Sequence, residues 1–288
     1  MSKRTCIVTG ATGLIGSLLI EALSSDYEVH GVARRPPARA GATWHALDLA
    51  TDCDLGSLPR RADAVVYLAQ SEHFRDFPDH GLDVYRVNTV NLLRFLEYAW
   101  RAGTRNFVYA SSGGVYGSGD ARMSEEIEIP ARGNLGFYLS TKICSEILAQ
   151  NYAQFFNVAI LRYFFVYGRG QRETMLIPRL IQRVRDGQPI LLQGENGIRT
   201  NPTHVSDAVA ATRRALELTR SHTINIGGPE VLSMREIGNL IGQAVGREPV
   251  FSVDRDAQAR HLSGDIERMR EILVAPRTRF AEGLRTML

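Results

Sequence analysis

The sequence predicts an α/β fold: a doubly wound parallel sheet followed by a smaller C-terminal α/β domain. Three observations predict it. Short apolar strands alternate with amphipathic helices from Thr5 to Tyr163. A glycine-spaced turn, Gly10-Ala11-Thr12-Gly13-Leu14-Ile15-Gly16, joins the first strand to the first helix. After Tyr163 the rhythm shortens, with turns at Gly187-Gln188-Pro189 and Gly194-Glu195-Asn196-Gly197.

The elements follow in order. Cys6–Thr9 reads as the opening strand. Leu14–Leu23 reads as a helix with Leu14, Leu18, Leu19 and Ala22 on one face. Glu28–Ala33 and Thr43–Ala46 are the next strands, and Ala64–Ala69 is a strongly apolar fourth. Val90–Trp100 is helical, with Leu92, Phe95, Leu96, Ala99 and Trp100 at helical spacing. Asn106–Ala110, the long helix Tyr138–Phe155 and the strand Ala159–Tyr163 complete the alternation. Beyond them come a helix over Thr174–Arg185, a strand over Ile190–Gln193 and a helix over Ser206–Leu218 that Ser206-Asp207 would open. Thr223–Ile226 is a strand, and the remainder holds two or three short helices and one strand.

Composition narrows the class. The 288 residues are 44% hydrophobic and 23% charged, with a net charge of +3, as in an ordinary globular protein. The pairs Arg34-Arg35, Arg60-Arg61 and Arg213-Arg214 are scattered, which argues against a nucleic-acid partner. The chain lacks the run of about 18 apolar residues that a membrane span requires. Met-Ser-Lys-Arg leads straight into a strand and leaves no room for a signal peptide. Cys6, Cys53 and Cys144 follow neither a metal nor a disulfide spacing, and a reducing cytoplasm is the simplest home.

The glycine turn carries chemistry. Gly10 suits the tight strand-to-helix turn, Gly13 admits a pyrophosphate to the positive end of the helix dipole, and Gly16 lets helix and sheet close. The spacing is G-x-x-G-x-x-G, so it shares the physical logic of the dinucleotide (Rossmann) fingerprint without its usual spacing. Ala110-Ser111-Ser112-Gly113-Gly114 follows the fifth strand, at the end of the sheet where ligands bind. Tyr138 and Lys142 stand four apart, on one face of the long helix. An ammonium beside a phenol favours the phenolate, which suits Tyr138 to proton transfer with a sugar or alcohol oxygen.

With these motifs in order, the chain resembles the extended short-chain dehydrogenases/reductases, the group of nucleotide-sugar epimerases and dehydratases. The resemblance covers nearly the whole length. It includes Thr9–Gly16, Leu68-Ala69, Val87-Asn88-Thr89, Ser111–Gly117, Tyr138–Lys142 with Glu146, Leu161–Phe164 with Val166-Tyr167-Gly168, His204–Asp207 and Asn225–Gly228. It implies catalytic roles for Ser112, Tyr138 and Lys142. It implies cofactor contacts at Gly10, Thr12, Gly13, Leu14, Ile15 and Gly16, and at Asp48, Leu49, Leu68, Ala69, Gln70, Asn88, Tyr138, Lys142 and Tyr163. Ser112, Gly113, Phe165 and Arg199 would meet the substrate, with Arg199 gripping a pyrophosphate, and no metal is expected. Plain helix capping is the alternative role for Asn88 and the favoured one for Asp207. The expected division is a dinucleotide-binding domain of 1–166 plus about 201–226 and a substrate-binding domain of 167–200 plus 227–288. A homodimer through Val90–Trp100 and Tyr138–Phe155 is also implied.

Departures from the family pattern are informative. Arg34, with Arg35, stands where NAD-binding members carry a carboxylate, so NADP is favoured over NAD. Gly113-Gly114 stands where dehydratases carry Asp-Glu, which excludes the elimination chemistry. Phe165 replaces a common Asn, and Leu262 lies where an arginine is usual, with Arg260 and His261 just upstream. The expected function is epimerisation of a nucleotide sugar by transient oxidation, at C4. The alternatives are an NADPH-dependent ketoreductase of a nucleotide-linked keto-sugar and a non-catalytic dinucleotide sensor.

Overall fold

The computed structural model describes residues 3–37, 41–119, 122–129 and 135–288. The expectation about Met1 and Ser2 lies outside them. The strands are β1 Arg4–Thr9, β2 Tyr27–Ala33, β3 Thr43–Ala46, β4 Ala64–Tyr67, β5 Asn106–Ser112, β6 Asn157–Tyr163, β7 Val166–Tyr167, β8 Ile190–Gln193, β9 Arg199–Thr200, β10 Thr203–His204, β11 His222–Ile226, β12 Leu232–Ser233 and β13 Phe251–Asp254. The helices are α1 Leu14–Leu23, α2 Gly81–Tyr85, α3 Asn91–Arg101, α4 Phe137–Asn151, α5 Leu176–Asp186, α6 Val205–Ala215, α7 Met234–Val245 and α8 Phe280–Arg285.

Seven strands form one sheet in the order β11-β6-β5-β4-β1-β2-β3. Strand order reverses between β1 and β4, which pair in parallel with Cys6 opposite Ala64 and Thr9 opposite Tyr67. The carboxyl ends of these two strands therefore bound the crevice where doubly wound sheets bind ligands. Ile7, Val65, Tyr67, Phe107 and Tyr109 from the strands pack with Leu92, Phe95, Leu96 and Ala99 of α3 in one core.

Two helix faces differ from the sequence reading. In α1 the buried residues are Gly16, Leu19, Ile20 and Leu23, and Leu18 is 37% exposed. A Cβ on Gly16 would lie 2.3 Å from the Gly10 carbonyl oxygen. That close approach turns the helix so that the stripe containing Gly16 faces the sheet. In α3, Trp100 is 53% exposed although Leu92, Phe95, Leu96 and Ala99 are buried. The helical run also starts earlier, at Gly81, and passes through a π-turn at Arg86–Val90.

The chain divides into two compact units, Met1–Val115 with Ala131–Arg162 and Val209–Ile224, and Tyr116–Pro130 with Tyr163–Ala208 and Asn225–Leu288. The expected boundaries gave 116–130, 163–166, 201–208 and 225–226 to the first unit, whereas these group with the second. Hydrogen bonds hold two of these stretches there. The Met123 N–H donates to the Ser263 carbonyl and its own carbonyl accepts from Asp265 N–H, each at 2.8 Å. Asp207 likewise does not cap its helix; its carboxylate accepts from the backbone N–H groups of Arg277 at 3.2 Å and Thr278 at 3.0 Å. The second unit has its own core, in which Tyr167, Ile177, Leu180, Ile181 and Val184 meet Ile190, Leu192, Ile237, Ile241 and Phe280. Its α7 opens with a capping box between Ser233 and Glu236, and α5 ends on Gly187 in the left-handed conformation.

Candidate active site

The glycine turn makes a cradle. Gly10 has φ +63°, and a Cβ there would meet the Leu68 and Ala69 backbone at 2.9 Å. Gly13 is the N-cap of α1 and provides no side-chain cap, and a Cβ on it would lie 3.1 Å from the Gly10 carbonyl oxygen. The free N–H groups of the first turn of α1, on the positive end of the helix dipole, suit an anion such as a pyrophosphate. Thr12, Leu14 and Ile15 lie on this turn. Ala69 N–H donates to Thr9 Oγ1 at 3.2 Å, which ties the end of β4 to β1 beside the cradle.

The other cofactor-side expectations fall as follows. Asp48 accepts from Ala50 N–H at 3.0 Å, and the Leu49 carbonyl accepts from Asn91 Nδ2 at 2.7 Å. Asn88 is inside the π-turn and caps no helix. Its Oδ1 accepts from Ser71 N–H at 3.3 Å and its Nδ2 donates to Thr141 Oγ1 at 3.0 Å, so it joins the chain after β4 to α4. Gln70 meets Tyr138, described next. Arg35 is exposed, and Arg34 forms an ion pair with Glu72 at 2.6 Å. Tyr163 ends β6 and is half-buried.

Ser112, Tyr138 and Lys142 come together where β5 meets α4. Ser112 Oγ accepts from Gly114 N–H at 3.1 Å. Tyr138 Oη donates to Gln70 Oε1 at 2.9 Å. Loss of hydration holds the Tyr138 phenol well above its ordinary range, and the neighbouring Ser112 hydroxyl opposes only part of that rise. Lys142 is buried, donates to the Ala110 carbonyl at 2.8 Å and lies 5.1 Å from the Tyr109 ring and 5.8 Å from the Tyr138 ring. Burial pushes its ammonium down to about 7, and the Glu146 carboxylate opposes that fall. Gly113 opens a tight turn after Ser112. A Cβ on Gly114 would lie 2.8 Å from Leu139 Cδ2 and 3.3 Å from Ser112 Oγ, so an acidic side chain there would displace Leu139.

In the second unit, Arg122, Arg199, Val231, His261 and Ser263 line a cavity of about 380 Å³. Sequence reasoning named Arg199 as a contact, noted His261 only as a neighbour of Leu262, and missed Arg122, Val231 and Ser263; their contribution depends on pairings distant in sequence. Leu262 N–H donates to the Arg199 carbonyl at 2.9 Å, and Arg199 N–H donates to His261 Nδ1 at 3.1 Å. His261 therefore carries its proton on Nε2 as a donor. The acid near Arg199 is Glu236, whose carboxyl is held low first by bonds from Ser233 and last by Arg199. Two guanidiniums, an imidazole donor and a hydroxyl suit an anionic ligand. Phe165 sits at φ +41°, a left-handed backbone that asparagine adopts more readily than phenylalanine, and it is half-buried. Among the described residues no His/Cys/Asp/Glu group has the arrangement of a metal site. No described helix is long and apolar enough to cross a membrane.

The model of the NAD dependent epimerase/dehydratase family matches residues 6–227, and the chain belongs to that family. Over 306 aligned positions it is 29% identical to a Bacillus subtilis (strain 168) protein described as an uncharacterized UDP-glucose epimerase, YtcB, with 96% of this chain and 95% of that one covered. Among solved structures it is similar to MoeE5 in complex with UDP-glucuronic acid and NAD, at 31% identity, with 98% and 97% of the two chains covered and a TM-score of 0.82. It is also similar to the UDP-glucuronic acid 4-epimerase of Bacillus cereus in complex with UDP-glucuronic acid and NAD, at 25% identity, with 98% and 97% covered and a TM-score of 0.85.

These relatives overturn the expectation of NADP, because both hold NAD. The physical reason lies in Arg34. Its guanidinium is already neutralised by Glu72, and that carboxylate would repel a 2′-phosphate.

Proposed function

We propose that this protein interconverts the C4 epimers of a UDP-sugar, with NAD as its resident cofactor. The observation that carries the reading is the convergence of Ser112, Tyr138 and Lys142 beside the glycine cradle of β1 and α1. Gly113 and Gly114 support it further, because neither supplies the acid that elimination of water requires.

In this reading the Gly10–Gly16 turn and the first N–H groups of α1 hold the pyrophosphate of NAD. NAD supplies a hydride acceptor and donor at its nicotinamide ring when bound. Ser112 donates to the C4 oxygen of the sugar and orients it. Tyr138, as phenolate, takes the proton from that hydroxyl as C4 is oxidised. The neutral phenol gives the proton back to the C4 oxygen when the keto-sugar is reduced on its other face. Lys142 favours the phenolate through its charge and contacts the ribose hydroxyls. Arg199, with Arg122 and His261, receives the diphosphate. Tyr138 ends in the protonation state in which it began, and the overall reaction would consume no cofactor.

The finer expectations stay with this proposal. The first unit serves the cofactor and the second the nucleotide. Leu93 and Trp100 of α3, Ile147 of α4 and Phe155 just beyond it are 40%, 53%, 55% and 54% exposed, and we assign this apolar surface to a two-fold homodimer. Cys6, Cys53 and Cys144 are unpaired thiols, which fits a reducing cytoplasm.

The test is incubation of the NAD-loaded protein with UDP-glucose, UDP-N-acetylglucosamine and UDP-glucuronic acid, with the sugars resolved after hydrolysis. The expected result is the C4 epimer of one of them with no accumulation of NADH. Stoichiometric loss or gain of NADH absorbance overturns epimerisation in favour of a one-way reductase. The absence of any turnover overturns the enzymatic reading.

A further inference from the structure

The chain after β4 grips the first turn of α4 at three points. Tyr138 Oη donates to Gln70 Oε1 at 2.9 Å. The Phe74 ring packs against the Tyr138 ring, with centroids 5.2 Å apart and planes inclined at 58°. Phe77 stacks on Phe137 at 4.6 Å and 13°. The peptide next to Gln70 is tied to the same helix, because Ser71 N–H donates to Asn88 Oδ1, Asn88 Nδ2 donates to Thr141 Oγ1, and Thr141 Oγ1 donates to the Tyr138 carbonyl at 2.7 Å. Gln70 is thus aimed at the phenol by its side chain and fixed beside it by its backbone.

We propose that Gln70 is a positioning residue for Tyr138: its amide oxygen directs the Tyr138 O–H and stabilises the protonated phenol between the two proton transfers. The inference deepens the proposed C4 epimerisation and rests on Tyr138 being its acid and base. The chemistry is one-sided. In the observed orientation the carbonyl oxygen accepts from the phenol and has nothing to donate to a phenolate, so loss of the Tyr138 proton forfeits this bond until the amide turns its Nε2 to the oxygen. The other groups around the phenol divide by element. From α4, Lys142 favours the phenolate while it carries its proton, and Glu146 lies one turn further on. From β5, Ser112 favours the phenolate and Tyr109 lies beneath. From the chain after β4, Arg75 covers the outer face of Phe74 at 4.8 Å. Gln70 adds a directed hydrogen bond to the burial that already favours the protonated phenol, against Lys142 and Ser112. A shuttle that must release its proton and then return it to the same oxygen also needs that oxygen held in one direction, which burial alone does not supply and a hydrogen-bond partner does.

The experiment compares Gln70→Ala and Gln70→Glu with the unaltered protein. The first readout is the phenolate difference absorbance of the cofactor-free protein, taken against Tyr138→Phe in the same background. The second is the pH profile of kcat/KM for the UDP-sugar that is turned over. Gln70→Ala is expected to lower the titration midpoint of Tyr138 and the acid limb of the profile by about 0.5 to 1 pH unit, the effect of one lost hydrogen bond. Gln70→Glu, with a carboxylate facing the phenol, is expected to raise both. Midpoints that stay put in both variants, even if thermal stability falls, overturn the proposal and leave Gln70 as a loop anchor. If Gln70→Ala does not fold, the near-isosteric Gln70→Glu decides alone. The titration needs no turnover, so it can uphold or overturn Gln70 even where the epimerase reading fails.

Discussion

Glu146 holds Arg162 with both carboxylate oxygens, one turn of α4 beyond Lys142. Arg162 Nη2 donates to Oε2 at 2.6 Å and Nε donates to Oε1 at 3.1 Å. The two side chains are 3% and 5% exposed, and the Ser111 hydroxyl also donates to Oε1. A pair so buried is costly to form and more costly to break on one side only. It joins β6 to α4 beneath the reactive lysine and places a fixed negative charge where it keeps Lys142 more basic than burial alone would allow.

Glu146→Gln should therefore lower unfolding stability by about 3 to 5 kcal/mol, since it leaves the Arg162 charge buried without its counterion. Urea unfolding measures this. The double variant Glu146→Leu with Arg162→Met should recover a large part of the loss, because it removes both charges together. A double variant no better than Glu146→Gln would show that the loss comes from packing and not from an orphaned charge.

Lys142 gives the cofactor-free protein a pH-dependent stability of defined sign. Burial lowers its ammonium from the ordinary 10.5 to about 7. Below about pH 7 both folded and unfolded chains carry the proton, and the folded chain bears the full cost of the buried charge. Above that point the folded chain has lost a proton that the unfolded chain still binds, so stability rises with pH up to the ordinary lysine range. Urea midpoints of the cofactor-free protein measured between about pH 7 and 9 should increase, and Lys142→Met should abolish most of that slope. An equal slope in both proteins would assign the effect to other groups.

The glycine cradle was legible because its requirements are local. Gly10, Gly13 and Gly16 follow one another closely in the chain, and backbone geometry demands the first and the last and leaves little room at Gly13. Tyr138 and Lys142 were legible because helical spacing puts residues four apart on one face. The remainder depends on partners that one-dimensional reading cannot pair. Glu72, which neutralises Arg34, lies 38 residues from it. Gln70 reaches Tyr138 across 68 residues, and His261 reaches Arg199 across 62. Asp207 looked like a helix cap because its sequence neighbours suit one, but its acceptors are occupied by backbone 70 and 71 residues away.

Gly16→Ala should weaken both fold and cofactor binding. The added methyl would lie 2.3 Å from the Gly10 carbonyl oxygen and 2.9 Å from the Ala11 Cα, both backbone atoms that cannot swing aside. Overpacking of this kind costs about 1 to 3 kcal/mol. Moving α1 away from Gly10 would also shift its N-terminal N–H groups from the pyrophosphate seat. Thermal unfolding and NAD titration should both register the change. Unaltered NAD affinity would place the pyrophosphate elsewhere.

The Arg34–Glu72 pair predicts how cofactor preference can be changed. With Glu72 in place, the guanidinium is occupied and a carboxylate stands beside it at 2.6 Å. Glu72→Ala should free Arg34 for a 2′-phosphate and remove the repulsion, shifting the NADP-to-NAD affinity ratio toward NADP by about tenfold, or 1.4 kcal/mol. Calorimetric titration of the emptied variant with each cofactor gives the ratio. An unchanged ratio would mean that Arg34 does not face the adenosine ribose.

Arg199 separates binding from chemistry. In the proposed reaction its guanidinium holds the diphosphate, whose charge is the same in the ground state and while C4 is oxidised. An interaction made equally in both states lowers KM without raising kcat. Arg199→Ala should therefore raise KM by about ten- to a hundredfold, the loss of one charge-assisted contact, and leave kcat within about threefold. His261→Ala should do the same more weakly, since it removes the imidazole donor that the Arg199 backbone orients from 3.1 Å. Steady-state kinetics with the active UDP-sugar measure both. A fall in kcat with KM unmoved would assign this cavity to the reacting sugar, and the diphosphate would have to be placed on other residues.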